Sequence, residues 1–200
     1  MLQHLRPALV LIIAFTLLTG LAYPWAVTGI AGVAAPASAN GSLVTRGNVV
    51  IGSALVGQAF ASDRYFQPRP SATSAADPTD ATKTVDAPYN AAASTGSNLG
   101  PITTKLIDRV KGDVERLRAA GVTGAVPVDA VTASGSGLDP HVSPATALLQ
   151  VPRVAAARSV PPERVRALVE QTAEGRALGI FGEPRVNVLR LNLALDALAP

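Results

Sequence analysis

Between Arg6 and Arg46 the chain carries no charged residue, and nearly everything from Ala8 to Ala39 is apolar or small. A helix rises about 1.5 Å per residue, so roughly 20 residues cross a hydrocarbon core of about 30 Å. Residues 8–28 meet that length, with Leu9, Val10, Leu11, Ile12, Ile13, Phe15, Leu17, Leu18 and Leu21 as the apolar mass. Tyr23 and Trp25 supply aromatic rings of the kind that sit where a helix leaves the bilayer. The reading is one membrane anchor carrying one water-soluble domain. A cleavable signal peptide is the alternative, since Ala37-Ser38-Ala39 has the small-x-small pattern of a cleavage site. Two features favour a retained anchor. The apolar stretch exceeds the usual signal core of about 7–15 residues, and Ala37 lies well beyond its end.

The expected organisation is a cytoplasmic N-terminus at 1–7, a transmembrane helix at 8–28, an exit linker at 29–41 and an α+β soluble domain at 42–200. Orientation rests on few charges. Arg6 and the terminal amine precede the span, while Arg46 is the first charge after it, which favours a cytoplasmic N-terminus and an extracytoplasmic domain. The 17 basic and 14 acidic residues leave a net charge of +3, a small surplus with no clustered patch for nucleic acid. The absence of cysteine excludes disulfides, thiolate metal sites and cysteine nucleophiles, and His4 and His141 alone cannot build a multi-histidine metal site.

Within the domain, Leu43–Val44 and Val49–Ile51 flank a Gly47-Asn48 turn and read as a hairpin. Residues 71–96 contain no Leu, Ile, Met or Phe, so they bury little area and read as a long low-complexity loop. Ile102, Leu106, Val110, Val114 and Leu117 repeat at helical spacing, predicting a helix from Ile102 to Ala119 that stops at Gly121. Val126 to Thr132 reads as a strand. Ser143-Pro144 opens a helix running toward Arg158 with Pro152 as a kink, and Pro161-Pro162 opens another over Glu163 to Ala173. Val186 to Leu198 reads as helix, although it partly satisfies the strand period as well. Mixed elements without a regular βαβ rhythm place the domain in the α+β class.

No phosphate-cradling G-x-x-x-x-G-K-[ST] loop and no G-x-S-x-G elbow is present. Ser136, Asp139 and His141 hold the residue types of a hydrolase triad, but triad members normally converge from separate segments. A tight Gly-rich turn leading into Pro140 is the better reading. Asn40-Gly41-Ser42 matches a glycosylation sequon of the kind common by chance.

Several Gly-, Pro- and Ser-rich segments recur in a specific order: Ala39-Asn40-Gly41-Ser42-Leu43, Tyr65-Phe66-Gln67-Pro68-Arg69-Pro70-Ser71-Ala72, Gly96-Ser97-Asn98-Leu99-Gly100-Pro101, and Ser134 through Pro144. Together with Arg6-Pro7-Ala8, Tyr23-Pro24, Gln150, Arg153-Val154-Ala155 and Gly182-Glu183-Pro184-Arg185-Val186-Asn187-Val188-Leu189, this set resembles the C subunits of Kdp-type potassium-transporting ATPases over essentially the whole chain. Pro152 departs from the pattern, in a stretch where uninterrupted helix is expected. The resemblance implies a non-catalytic accessory subunit with one transmembrane helix, in a complex with a channel-like A subunit, a P-type ATPase B subunit and a small F subunit. It implies no cofactor held by this chain itself, with ATP engaged through the ATPase subunit.

Two mechanisms follow from the likeness. The first is a structural and gating role outside the membrane, near the mouth of the A subunit, and it is the favoured one. The other is a catalytic chaperone that raises the nucleotide affinity of the B subunit, with Ser134, Ser136 and Gln150 compared to an ABC-type signature. A secreted hydrolase or binding protein, released by signal cleavage, is the remote third reading. The span has no ionisable residue, and the chain has neither an Asp-Lys-Thr-Gly-Thr phosphorylation sequence nor a Thr-Val-Gly-Tyr-Gly filter. Thr16, Thr19, Gly20 and Tyr23 lie at three- and four-residue intervals and form an expected face for packing on a partner helix.

Overall fold

In the computed structural model, which describes residues 2–80 and 82–198, the apolar N-terminal run is helical throughout. Helix α1 (Leu2–Leu17) passes through a π turn (Leu18–Ala22) into α2 (Tyr23–Ala34). The helix from Gln3 to Ala34 runs 32 residues and contains an 18-residue window with a mean hydropathy of 2.0, none of it buried, so it is long and apolar enough to cross a membrane. At about 1.5 Å per residue it measures roughly 48 Å, which carries it past residue 28 and through the first part of the expected linker. The π turn has a local cause. Pro24 has no N–H to offer the carbonyl of Gly20, and the Tyr23 N–H reaches back five residues to Leu18. Thr19 falls in this turn and bonds its hydroxyl to the Phe15 carbonyl at 2.7 Å, leaving no unsatisfied donor in an apolar setting.

A short α3 (Pro36–Ala39) leads to the expected hairpin, β1 (Leu43–Arg46) against β2 (Val49–Ser53), with Gly47 at φ +61° in the turn. Residues up to Ser53 form one compact unit and those from Ala54 onward a second.

The second unit gathers its core around three helices and a small antiparallel sheet. The elements are β5 (His141–Val142), α5 (Pro144–Arg158), α6 (Pro162–Thr172), β6 (Ala173–Glu174), β7 (Arg185–Asn187) and α7 (Val188–Ala197), with sheet order β5-β7-β6. Val142, Val151, Val154, Val165, Val169, Val186, Leu191 and Leu195 fill it, and Phe66 enters from a long irregular segment. The α5 start is fixed by Ser143, whose hydroxyl accepts the Thr146 N–H at 3.0 Å. The Asp129 carboxylate binds the Ser143 N–H at 2.7 Å and the Thr146 hydroxyl at 2.8 Å. Helix α5 continues past Pro152 to Arg158 and closes on Ser159, in the left-handed region at φ +56°.

Three sequence expectations change. Val126 to Thr132 is no strand but a 3-10 turn (Val128–Ala130), because Pro127 fixes the backbone ahead of it and Asp129 is drawn into capping α5. The described residues of 71–96 carry structure: β3 (Ser74–Ala76) pairs with β4 (Thr84–Asp86), and a 3-10 turn follows at Ala91–Ala93. Side-chain hydroxyls and amides substitute there for apolar burial. The buried Thr73 hydroxyl donates to the Ala87 carbonyl at 2.6 Å and accepts the Asn90 N–H. Finally, Val186 to Leu198 is strand first and helix second, the switch falling where Asn187 caps α7 by accepting the Arg190 N–H. The helix expected from Ile102 is α4 (Thr104–Ala119), which buries none of its residues.

Leu191 is fully buried at the centre of this core. Leu191→Ala is expected to cost about 2–5 kcal/mol through lost transfer energy and a residual cavity. Denaturant titration of the detergent-solubilised chain measures it; a loss below about 1 kcal/mol would show that the core closes around the gap.

Candidate functional site

The segment Asp63 to Ser71 crosses the second unit without regular secondary structure. Pro68 and Pro70 bring no N–H, so it cannot take a full place in a sheet ladder. Its backbone is satisfied by side chains instead. Arg153 donates to the carbonyls of Asp63 at 2.8 Å and Tyr65 at 3.0 Å, and Arg158 to that of Arg64 at 2.7 Å. Asn192 pairs with both backbone groups of Phe66, accepting at 2.8 Å and donating at 3.0 Å. Gln150 does the same for Gln67 at 2.7 and 2.9 Å. The Tyr89 hydroxyl closes the series on the Arg69 carbonyl at 2.7 Å.

Beyond this bracket, Arg69 itself turns toward the Gly-rich loop. Its guanidinium contacts Asp139 at 3.0 Å and the carbonyls of Thr132 and Ala133. Asp139 also accepts the His141 N–H at 2.9 Å. Burial pushes the Asp139 carboxyl up, but bonds from the His141 ring and backbone and from Arg69 outweigh it, holding it below the ordinary carboxylate range. Burial, then the Asp139 charge, raises the Tyr89 phenol against the opposing Arg69. Burial also lowers Arg153, which Asp63 partly offsets. Gly57 is required here, because a Cβ would lie 2.7 Å from the Asp139 carbonyl and against the Tyr89 ring.

The sequence-derived site residues separate in space. Gln150 lines a cleft of about 670 Å³ together with Phe60, Arg69, Arg109 and Arg153. Its amide oxygen takes both Gln67 N–H and Arg153, and its amide nitrogen the Gln67 carbonyl, so the group is already committed. Ser134 and Ser136 are not in that lining. Their hydroxyls accept the N–H groups of Gly137 at 2.9 Å and Leu138 at 3.1 Å, stabilising their own turn. Thr16, Thr19, Gly20 and Tyr23 belong to the first unit, where the π turn separates Thr16 from Tyr23. Among the described residues no group of three or more His, Asp or Glu is placed to hold a metal. Asn192, Arg158 and Tyr89 went unread in the sequence, although the proline-flanked Gln67 to Pro70 run signalled a backbone needing outside donors.

These features define a class: a single-span membrane protein whose soluble part is a polar-bracketed α+β module. Residues 5–197 match the KdpC family, the K+-transporting ATPase c chain. The chain belongs to that family. It is 65% identical over 199 residues to the potassium-transporting ATPase KdpC subunit of Methylobacterium nodulans, covering 100% of this chain and 99% of the relative. The corresponding subunits of Rhodopseudomonas palustris (62% over 197 residues, 98% and 99% covered) and Bradyrhizobium diazoefficiens (60% over 199, 100% and 99%) are similar over the same span.

Replacing Asn192 with Leu strands two backbone groups of the fully buried Phe66, at about 1–3 kcal/mol each. Gln150→Leu acts at the more exposed Gln67 and is expected to cost less; denaturant titration of both variants checks the order, and a reversed order would contradict the bracket. Because Asp139 is depressed in the folded chain, its contribution is present at neutral pH and lost as pH falls below about 4. Stability measured from pH 7 to 2 is expected to fall less steeply in Asp139→Asn, from a lower starting value.

Proposed function

We propose that the chain is the non-catalytic accessory subunit of an ATP-driven potassium uptake pump of the inner membrane, stabilising the assembly of its ATPase and channel-like subunits. Its single N-terminal span anchors it there. In the finer reading the N-terminus is cytoplasmic and the domain extracytoplasmic. The partners are the channel-like A, P-type ATPase B and small F subunits. Thr16, Thr19, Gly20 and Tyr23 serve as a small-residue face for a partner helix. Outside its own helix nothing lies within 4 Å of a Cβ at Gly20, so the chain itself leaves that side open.

The observation that carries the structural role over the catalytic-chaperone role is the commitment of Gln150. An amide that brackets Gln67 and accepts from Arg153 shapes the domain, and a nucleotide would have to break those bonds to use it. One feature favours the second reading. The cleft beside Gln150 is lined by Arg69, Arg109, Arg116 and Arg153 against Asp63, Asp86 and Asp113; three of the arginines are ion-paired, and the Arg109 Nε, buried without a hydrogen-bond partner, is the group left to meet an anion such as ATP.

Sidedness separates the two, because ATP is cytoplasmic. Cysteines introduced at the exposed Lys83 and Glu170, in a chain with none of its own, report it. Labelling of both by a membrane-impermeant thiol reagent in intact cells is expected. Labelling only after lysis would put the domain in the cytoplasm and make the chaperone role the better account.

A further inference from the structure

Helix α4 is held to the second unit differently from its neighbours. Its apolar stripe, Leu106, Val110, Val114 and Leu117, is only half-covered. Among the described residues its side chains bond only locally: Arg116 to Asp113, and Arg118 to the carbonyls of Val122 at 2.8 Å and Gly124 at 2.7 Å. Helix α5, by contrast, is tied to the 63–69 segment through Gln150, Arg153 and Arg158. Both ends of α4 are turns. Thr103 returns its N–H and its hydroxyl to the Gly100 carbonyl, and Gly121 leaves the helix at φ +91°, a conformation that suits glycine. Hinges are built from such element-terminal residues.

Arg109 and Leu117 of α4 line the cleft of about 670 Å³ together with Phe60, Leu149 of α5 and Asp86 of β4, so the half-covered face borders a gap within the same unit. Charge pairing in that lining is complete except for two groups. Arg69 pairs with Asp139, Arg116 with Asp113 and Arg153 with Asp63. Arg109 and the Asp86 carboxylate have no partner among the described residues. They are opposite in sign and stand on different elements. The cost falls on Arg109. Asp86 is exposed and hydrated, whereas the Arg109 Nε is the one buried side-chain polar atom without a partner among the described residues. A buried donor left unpaired is destabilising, so the guanidinium favours a rearrangement that brings it an acceptor.

We propose that α4 is a lid that closes on this cleft, with Arg109 and Asp86 as its latch. Closure carries the apolar stripe toward Phe60 and Leu149 and gives the Arg109 Nε the Asp86 carboxylate as its acceptor. Apolar burial drives the movement, and the ion pair, modest at a partly exposed site, fixes where the helix comes to rest. The domain then has two states that differ in one loosely held helix, and contact with another protein at α4 shifts the balance between them. Arg109 is thereby assigned to an acceptor of its own chain, with no external anion required.

The test uses the full-length chain in detergent, which has no native cysteine. Cysteines replace the exposed Lys111 on α4 and the exposed Glu170 on α6, spin labels are attached, and pulsed dipolar EPR reads the distance between them. Two distance populations are expected in the otherwise wild-type chain. Asp86→Asn and Arg109→Gln should each deplete the same one of the two by roughly threefold or more, and Arg109→Asp combined with Asp86→Arg should restore it. Asp86 is exposed, so Asp86→Asn leaves the fold intact and reads the latch alone. A single population that none of the variants shifts overturns the lid. Two populations indifferent to Asp86→Asn and to the charge exchange overturn the latch and the proposal with it. A shift that requires added ATP or inorganic phosphate, lost in Arg109→Gln but unchanged in Asp86→Asn, overturns it too by assigning Arg109 to an anion.

Discussion

A stretch of backbone that cannot pair in a sheet, held by side chains from three other segments, is the constraint on which the second unit depends. From Asp63 to Arg69 the carbonyls are taken by Arg153, Arg158, Asn192, Gln150 and Tyr89. An unpaired buried backbone group costs as much as several favourable contacts return, so these five side chains are not interchangeable. They reach the segment from α5, α7 and the loop before α4, and so lock those elements to one another. Phe66, carried into the core by the same segment, then adds apolar burial to polar satisfaction at one point.

This polar economy explains how a domain so poor in large apolar side chains stays ordered. The core is built largely of valine, and aromatics make up only 4% of the chain. Hydroxyls and amides therefore organise regions that a hydrophobic core would organise elsewhere. Ser71 and Thr73 tie the β3–β4 hairpin to the Gly-rich loop, the Ser71 hydroxyl donating to the Gly137 carbonyl at 2.7 Å. Asp129 binds the α5 N-terminus, and Arg69 joins Asp139 to the bracketed segment. The Gly-rich stretch that resembles a ligand loop is thus held on several sides by structural bonds.

The anchor follows a different logic. In an apolar surround each backbone group must be satisfied within the helix, and Pro24 would leave a gap. The π turn redistributes the bonds across it, and Thr19 keeps its hydroxyl on its own helix. What remains outward-facing is apolar and mostly large, from Leu9 to Val33, and no charged side chain lies between Pro7 and Ala34.

Sequence alone determined the elements that local chemistry dictates. The uncharged run from Pro7 to Thr45 specified the anchor, helical periodicity specified α4, and Ser143-Pro144 and Pro161-Pro162 marked the starts of α5 and α6. The ordered Gly- and Pro-rich segments identified the family, because turns demand particular residues at particular places. Tertiary structure decided whatever depends on partners far along the chain. The order in residues 71–96 comes from bonds such as Ser71 to Gly137, 66 residues away, and the fate of Gln150 from a backbone 83 residues earlier. Composition could see that residues 71–96 lack apolar mass, but not that hydroxyls would replace it. The strand in Val186-Asn187 likewise exists because β5 and β6 flank it, an arrangement that no local propensity encodes.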